Sequence, residues 1–278
     1  MNRRLFIQAM ALALADIPLA TSAESRVLRL GLMPVYGIRT LMSRYEPMRA
    51  YIARTLGRNV RVETSADFQR YLDSILAGEF DIAVAAAHFA RIAQLDAGWH
   101  VLAQFDPDHD TLLIVRGEDA RKKVSDFSGQ EIAVIDRLAI TVMGALHYLE
   151  RQGLRPDKDV RITEYRNHAS VVHSLLSGAS AMAVTTTHGL HQIPADLRAR
   201  VAVYRDIVDI PAFTVIAAPG MAKTDIERLR GALLAFPREA EGIDFMAFNS
   251  YTGLHAATES AMRRADPYLK ETRRMVGR

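Results

Sequence analysis

Glu131-Ile132-Ala133-Val134-Ile135-Asp136-Arg137-Leu138-Ala139-Ile140-Thr141-Val142-Met143-Gly144-Ala145 is the stretch on which the fold turns. Glu131 to Ile135 reads as a short buried strand, Asp136-Arg137 as a tight turn, and Thr141 to Gln152 as a helix. A strand feeding a helix in this way is the repeating unit of an α/β sheet. The helix then points its free N–H groups and the positive end of its dipole at the crevice above the sheet. This turn is therefore expected to be one lip of a ligand-binding mouth.

The same logic runs upstream. Val27–Met33 is a strand ended by Pro34, and a helix follows from Thr40 to Leu56. Asn59–Thr64 alternates like a strand, and Ser65-Ala66-Asp67 offers cap chemistry for a helix from Phe68 to Leu76. Phe80–Ala85 is a near-continuous apolar strand, as expected when both faces are buried. Ala86-Ala87-His88-Phe89 reads as a loop into a helix from Ala90 to Leu95, and Asp106–Asp110 as a polar, solvated loop.

Downstream, Val160–Glu164 is a strand, Asn167-His168-Ala169-Ser170 caps the helix Val171–Leu176, and Ala181–Val184 is a strand ending in Thr185-Thr186-Thr187-His188. Residues 116–208 thus repeat the pattern of residues 27–110, which predicts a second lobe. Pro211–Ala218 is a strand after a crossover, and the helices beyond it are expected to pack back on the first lobe.

Composition narrows the function. The 278 residues allow two modest α/β units, with 49% apolar and 24% charged residues. Net charge is +3, with both signs interleaved and no basic run, which argues against a nucleic-acid footprint. The absence of cysteine excludes disulfides, thiolate catalysis and cysteine-held metals. No Gly-x-Ser-x-Gly elbow, phosphate loop or dinucleotide fingerprint is present, so no enzyme is expected. Residues 1–23 have the form of an export signal: Arg3-Arg4, an apolar run from Leu5 to Ala15, and Thr21-Ser22-Ala23 before the cleavage point. Asn2–Gln8 also has the form of a twin-arginine motif, and an ordinary N-terminal helix is the plainer alternative.

The order of motifs resembles a known family. Leu28–Met33, Phe80-Asp81-Ile82-Ala83, Val124–Val134, Ile210–Val215 and Asp266–Arg274 look like the phosphate/phosphite/phosphonate periplasmic solute-binding proteins. The resemblance spans the mature chain. It implies a two-lobed type II periplasmic-binding-protein fold, each lobe a mixed, mainly parallel sheet flanked by helices, with two hinge crossings near Thr111–Arg116 and Val208–Phe213. It implies lobe 1 as residues 24–112 plus 212–278, and lobe 2 as residues 113–211. It implies a periplasmic monomer without a cofactor that closes on a ligand and delivers it to an ABC permease. A sensor-kinase accessory and a metal or cofactor carrier remain alternatives.

The departures bear on the ligand. Where phosphonate binders begin the lip helix with Ser-Thr-Ser, this chain has Leu138-Ala139-Ile140. A family tyrosine matches Phe68, a second falls near Ala85, and a family acid falls at Thr185 or Thr186; His168 matches a family histidine. A doubly charged oxyanion needs several donors. A small organic or mono-anionic ligand is therefore expected instead. The candidate contacts are Tyr36, Arg39, Phe68, His88, Phe89, Arg137, Leu138, Ala139, Ile140, Thr141, His168, Thr185 and Thr186. Each also has a plainer reading as a core ring, a cap, a strand-former or a solvated side chain. His188 and His191, spaced i, i+3, carry the metal alternative, with no carboxylate at a recognisable spacing.

Overall fold

The computed structural model describes residues 26–191 and 193–278, so the export segment read at 1–23 lies outside the described residues. The first lobe opens with β1 (Leu28–Leu32), α1 (Ile38–Leu56), β2 (Val60–Glu63), α2 (Phe68–Leu76), β3 (Ile82–Ala85), α3 (Ala87–Ala97) and β4 (His100–Asp106). The chain then enters a second sheet through β5 (His109–Arg116), β6 (Glu131–Val134), α4 (Ile140–Arg151), β7 (Arg161–Glu164), α5 (His168–Leu176) and β8 (Met182–Thr185). Two short helices, α6 (Thr187–His191) and α7 (Ala195–Arg198), precede the long strand β9 (Val201–Ile210). β10 (Thr214–Ala217), α8 (Lys223–Ala235), α9 (Ala240–Asn249), β11 (Gly253–Ala256), α10 (Glu259–Arg263) and α11 (Asp266–Met275) complete the fold.

The sheets are ordered β11-β4-β10-β3-β1-β2 and β7-β6-β8-β5-β9. Each contains a parallel trio, β2-β1-β3 or β7-β6-β8, as the sequence predicts. Beside each trio lies an antiparallel strand delivered by a crossing: β5 against β8, and β10 against β3. The remaining pairs are antiparallel too, so the sheets are mixed rather than mainly parallel. The first crossing differs from expectation. Thr111–Arg116 lies inside β5, and the chain changes sheets between Asp106 and His109. The acidic segment there is mostly strand ends, because β4 and β5 nearly abut.

Local sequence explains the elements. In α2, Phe68, Tyr71, Leu72 and Ile75 share one buried face, and the Asp67 carboxylate accepts from the Arg70 N–H at 2.8 Å. α5 repeats the device with Asn167 and the Ser170 N–H at 2.9 Å. β3 and β10 are buried at every position, which suits strands covered on both faces.

One hydrophobic cluster runs through both lobes, from Phe68 and Phe89 to Leu138, Ile140 and Met143, and on to Tyr268 and Leu269. α11 accordingly touches both units. Arg91 on α3 is nearly buried and pairs with Asp266 at 2.9 Å and Glu259 at 2.9 Å. On the other side, Tyr268 and Glu271 meet His147 of α4, by ring stacking and by a 2.8 Å contact. Packing on the first lobe alone was too narrow an expectation. No helix among the described residues is long and apolar enough to cross a membrane.

Candidate functional site

The lobes meet where strands β1 and β3 end opposite strands β6 and β8. At the first contact the expected loop at Ala86–Phe89 is instead the start of α3: Ala86 is the residue before the helix and His88 lies in its first turn. The flanking Ala86, Ala87 and Ala90 are small and buried, and His88 and Phe89 are fully buried. His88 Nε2 lies 3.0 Å from the Leu138 carbonyl oxygen across the seam, so Nε2 carries the proton and donates. Its Nδ1 is then a bare acceptor, buried without a partner. Burial pushes the imidazole down to about 3, only partly countered by the bond to Leu138, so the ring is neutral.

On the opposite side, Asp136 shapes the tight turn before α4. Its carboxylate accepts from the Leu138 N–H at 2.7 Å, and its carbonyl from the Ala139 N–H at 3.0 Å. Desolvation raises the Asp136 carboxyl above its ordinary value. Leu138, Ala139 and Ile140 are buried in the shared cluster. Neither α3 nor α4 has a capping side chain, so both present first-turn amides beside the His88–Leu138 contact.

The second contact joins the β1–α1 loop to α6. The Tyr36 and His188 rings meet edge to face at 5.9 Å. Arg44, from α1, lies over the Tyr36 ring at 4.5 Å and over the Phe248 ring at 4.5 Å. Arg44 Nε and His188 Nε2 are both buried without hydrogen-bond partners. Burial raises the Tyr36 phenol, against an opposing pull from Arg44.

His168 and Thr185 come together nearby, with Nδ1 and Oγ1 2.9 Å apart. Desolvation first, and then the neighbouring His188, hold His168 down to about 4. Gly189 makes room for this ring, since a Cβ there would lie 2.6 Å from His168 Cγ. Thr187 begins α6 and Thr186 stands just before it: Thr186 Oγ1 accepts from the Gly189 N–H, and Asp110 accepts from the Thr187 N–H at 2.8 Å.

Other expected residues lie apart. Phe68 and Phe89 are core rings. Arg39 is exposed on the first turn of α1, and Thr141 is half-buried on α4. Arg137 pairs with Asp157, and its backbone N–H donates to Glu164, on the wall of an open, mostly polar hollow of about 880 Å³ at the rim of the seam. Among the described residues no three histidine, aspartate or glutamate side chains assemble to hold a metal ion.

Arg44 and Phe248 were not legible as site residues. An arginine inside an amphipathic helix reads as solvated, and the aromatic pair that encloses it comes from segments about 200 positions apart. His188 was visible in the loop after β8, but its pairing with Tyr36 was not.

The model of a family described as periplasmic phosphonate substrate-binding proteins of ABC transporters matches residues 30–262. Among solved structures, a binding-protein component of an ABC phosphonate transporter from Pseudomonas aeruginosa superposes with a TM-score of 0.73 at 15% identity, over 90% of this chain and 88% of that one. PhnD1 from Prochlorococcus marinus, in complex with methylphosphonate, gives 0.76 at 11% identity over 90% and 98%. The periplasmic aliphatic sulphonate binding protein SsuA from Escherichia coli gives 0.62 at 15% identity over 91% and 94%. The architecture is therefore the type II periplasmic-binding fold. No curated protein matches the sequence.

Proposed function

Because the chain belongs to the phosphonate-type family of periplasmic substrate-binding proteins of ABC transporters, we propose that it captures a small organic ligand in the seam between its lobes and hands it to a membrane permease. One observation carries this reading. Polar atoms from both lobes (Arg44 Nε and His88 Nδ1 from one, His188 Nε2 from the other) are buried at the two seam contacts without partners. Each such group costs about 1–3 kcal/mol when left unsatisfied. A ligand that supplies partners recovers that cost in the closed state and so drives closure. The crossings at 106–109 and 210–214 are the proposed hinges, each a short link between sheets.

The ligand class follows from what the walls lack. Leu138, Ala139 and Ile140 bring no hydroxyl, and Phe68 brings a ring without one. Desolvating a dianion there would leave its charge under-bonded. A neutral or singly charged compound suits the seam, with Tyr36, His168, Thr185 and the first-turn amides of α3 and α4 as polar contacts. Thermal unfolding against a broad panel of amines, sugars, carboxylates, amides, sulfonates and phosphonates tests it. A stabilising compound that also reduces the radius of gyration in X-ray scattering is the expected result. Failure of every class to shift unfolding would overturn the proposal.

A further inference from the structure

Resting on the reading of the seam as a ligand site, we infer that Arg44 and His188 are its charge anchor, and that the ligand is an organic monocarboxylate whose apolar body lies along Leu138–Ile140. Arg44 differs from two other buried or partly buried arginines, Arg91 and Arg116. Arg91 and Arg116 each hold carboxylates at 2.6–2.9 Å. Arg44 has only two long contacts, from Nη1 to the Phe248 carbonyl at 3.4 Å and to Asn249 Oδ1 at 3.3 Å. Its Nε is buried and unpartnered, and the two contacts among the described residues are both to Nη1, so the Nε–Nη2 edge of the guanidinium is unpaired. That edge is the planar fork that grips a carboxylate with two parallel hydrogen bonds. The Tyr36 and Phe248 rings, each 4.5 Å away, hold the fork and keep water from its faces.

His188 completes the anchor from the other lobe. Its ring stands against Tyr36, and its Nε2 is the second buried atom without a partner. The charged and titratable groups around it are Arg44, His191, Asp110, His168 and the Tyr36 phenol; Asp110 is already engaged by the Thr187 N–H. Burial first, then Arg44, pulls the imidazole below its ordinary value. A carboxylate on Arg44 cancels the nearby positive charge and favours protonation of His188, so binding takes up a proton. One charge then meets one arginine, and the hydrocarbon remainder meets the apolar lip.

Titration calorimetry with benzoate and hexanoate, against benzamide, methylphosphonate and methanesulfonate, tests this. Benzoate or hexanoate is expected to bind, benzamide and methylphosphonate to bind at least about tenfold more weakly, and carboxylate affinity to rise from pH 8 to pH 6. Buffers of different ionisation enthalpy should report proton uptake in the wild type and little in His188→Gln. Arg44→Gln should lose about 10- to 100-fold in affinity. If that variant misfolds by circular dichroism, Arg44→Lys, which keeps the charge and loses the fork, should still lose about tenfold. Unchanged carboxylate binding in the folded arginine variant, or benzamide binding as well as benzoate, would overturn the inference. If carboxylates fail while another class in the broad panel binds, the anchor is wrong and ligand capture stands. If nothing binds, both fall.

Discussion

Buried histidines give the protein a built-in sensitivity to acid. His88 is held near 3, and His109 and His168 near 4, all chiefly by desolvation, against an ordinary value of 6.5. Below pH 6.5 the unfolded chain binds protons that the folded chain refuses. Stability therefore falls as the pH drops from 6.5 toward 4, by up to about 1.4 kcal/mol per pH unit for each histidine, and is flat with respect to these groups above 6.5. Urea unfolding at pH 7 and pH 5 should show this loss. His88→Gln keeps a donor for the Leu138 carbonyl and removes one titrating group, so its pH dependence should be shallower by about one proton. Gly189→Ala probes the second lobe. Its Cβ would collide with the His168 ring, with the nearest atom at 2.6 Å, and should cost about 1–3 kcal/mol in the same measurement. Neither constraint is legible in the sequence. His88 sits after a strand like any turn residue, and only the packing of α3 against the 136–140 turn makes it a buried donor.

Helix starts separate what neighbours in the chain decide from what the other lobe decides. The caps at Asp67 and Asn167 follow from the chain, because each side chain bonds an N–H three residues on. The start of α4 at Ile140 lies one residue from the Thr141 read in the chain, but what surrounds it does not follow from the chain. Asp136 holds the tight turn ahead of it, and Leu138–Ile140 are drawn into the core shared with α3. Replacing Leu138, Ala139 and Ile140 by Ser, Thr and Ser should therefore act twice. It should destabilise the fold by several kcal/mol through lost burial. It should also bring methylphosphonate binding up to a measurable level, by restoring hydroxyl donors at this turn. Thermal unfolding with and without methylphosphonate reads both effects, and a stability loss with no gain in methylphosphonate response would count against this lip as ligand wall.

Across the full fold, α11 ties the lobes together. It holds α3 through the Arg91–Asp266 ion pair and α4 through Tyr268 and Glu271 on His147. With the two crossings as the proposed hinges, this mixed allegiance is expected to limit how far they open. Tyr268→Ala together with Glu271→Ala should free the second lobe, and X-ray scattering of the ligand-free protein should show a larger radius of gyration. An unchanged value would mean that the clasp does not restrain opening. The two lobes were legible in the chain, because strand–helix periodicity repeats on either side of residue 110. The placement of the first crossing was not, since β5 has the same apolar pattern as strands that stay in their own sheet.

Periodicity, cap residues and apolar runs were enough to specify two α/β lobes, most of their elements and a lip without hydroxyls, because each depends on contacts a few residues apart. The burial of His88, the enclosure of Arg44 by Tyr36 and Phe248, and the meeting of Tyr36 with His188 depend on which surfaces face each other across the seam. Those pairings join segments 50 to about 200 residues apart. No local pattern encodes them; they arise when strand ends from two separately built sheets are brought together and polar atoms are buried between them.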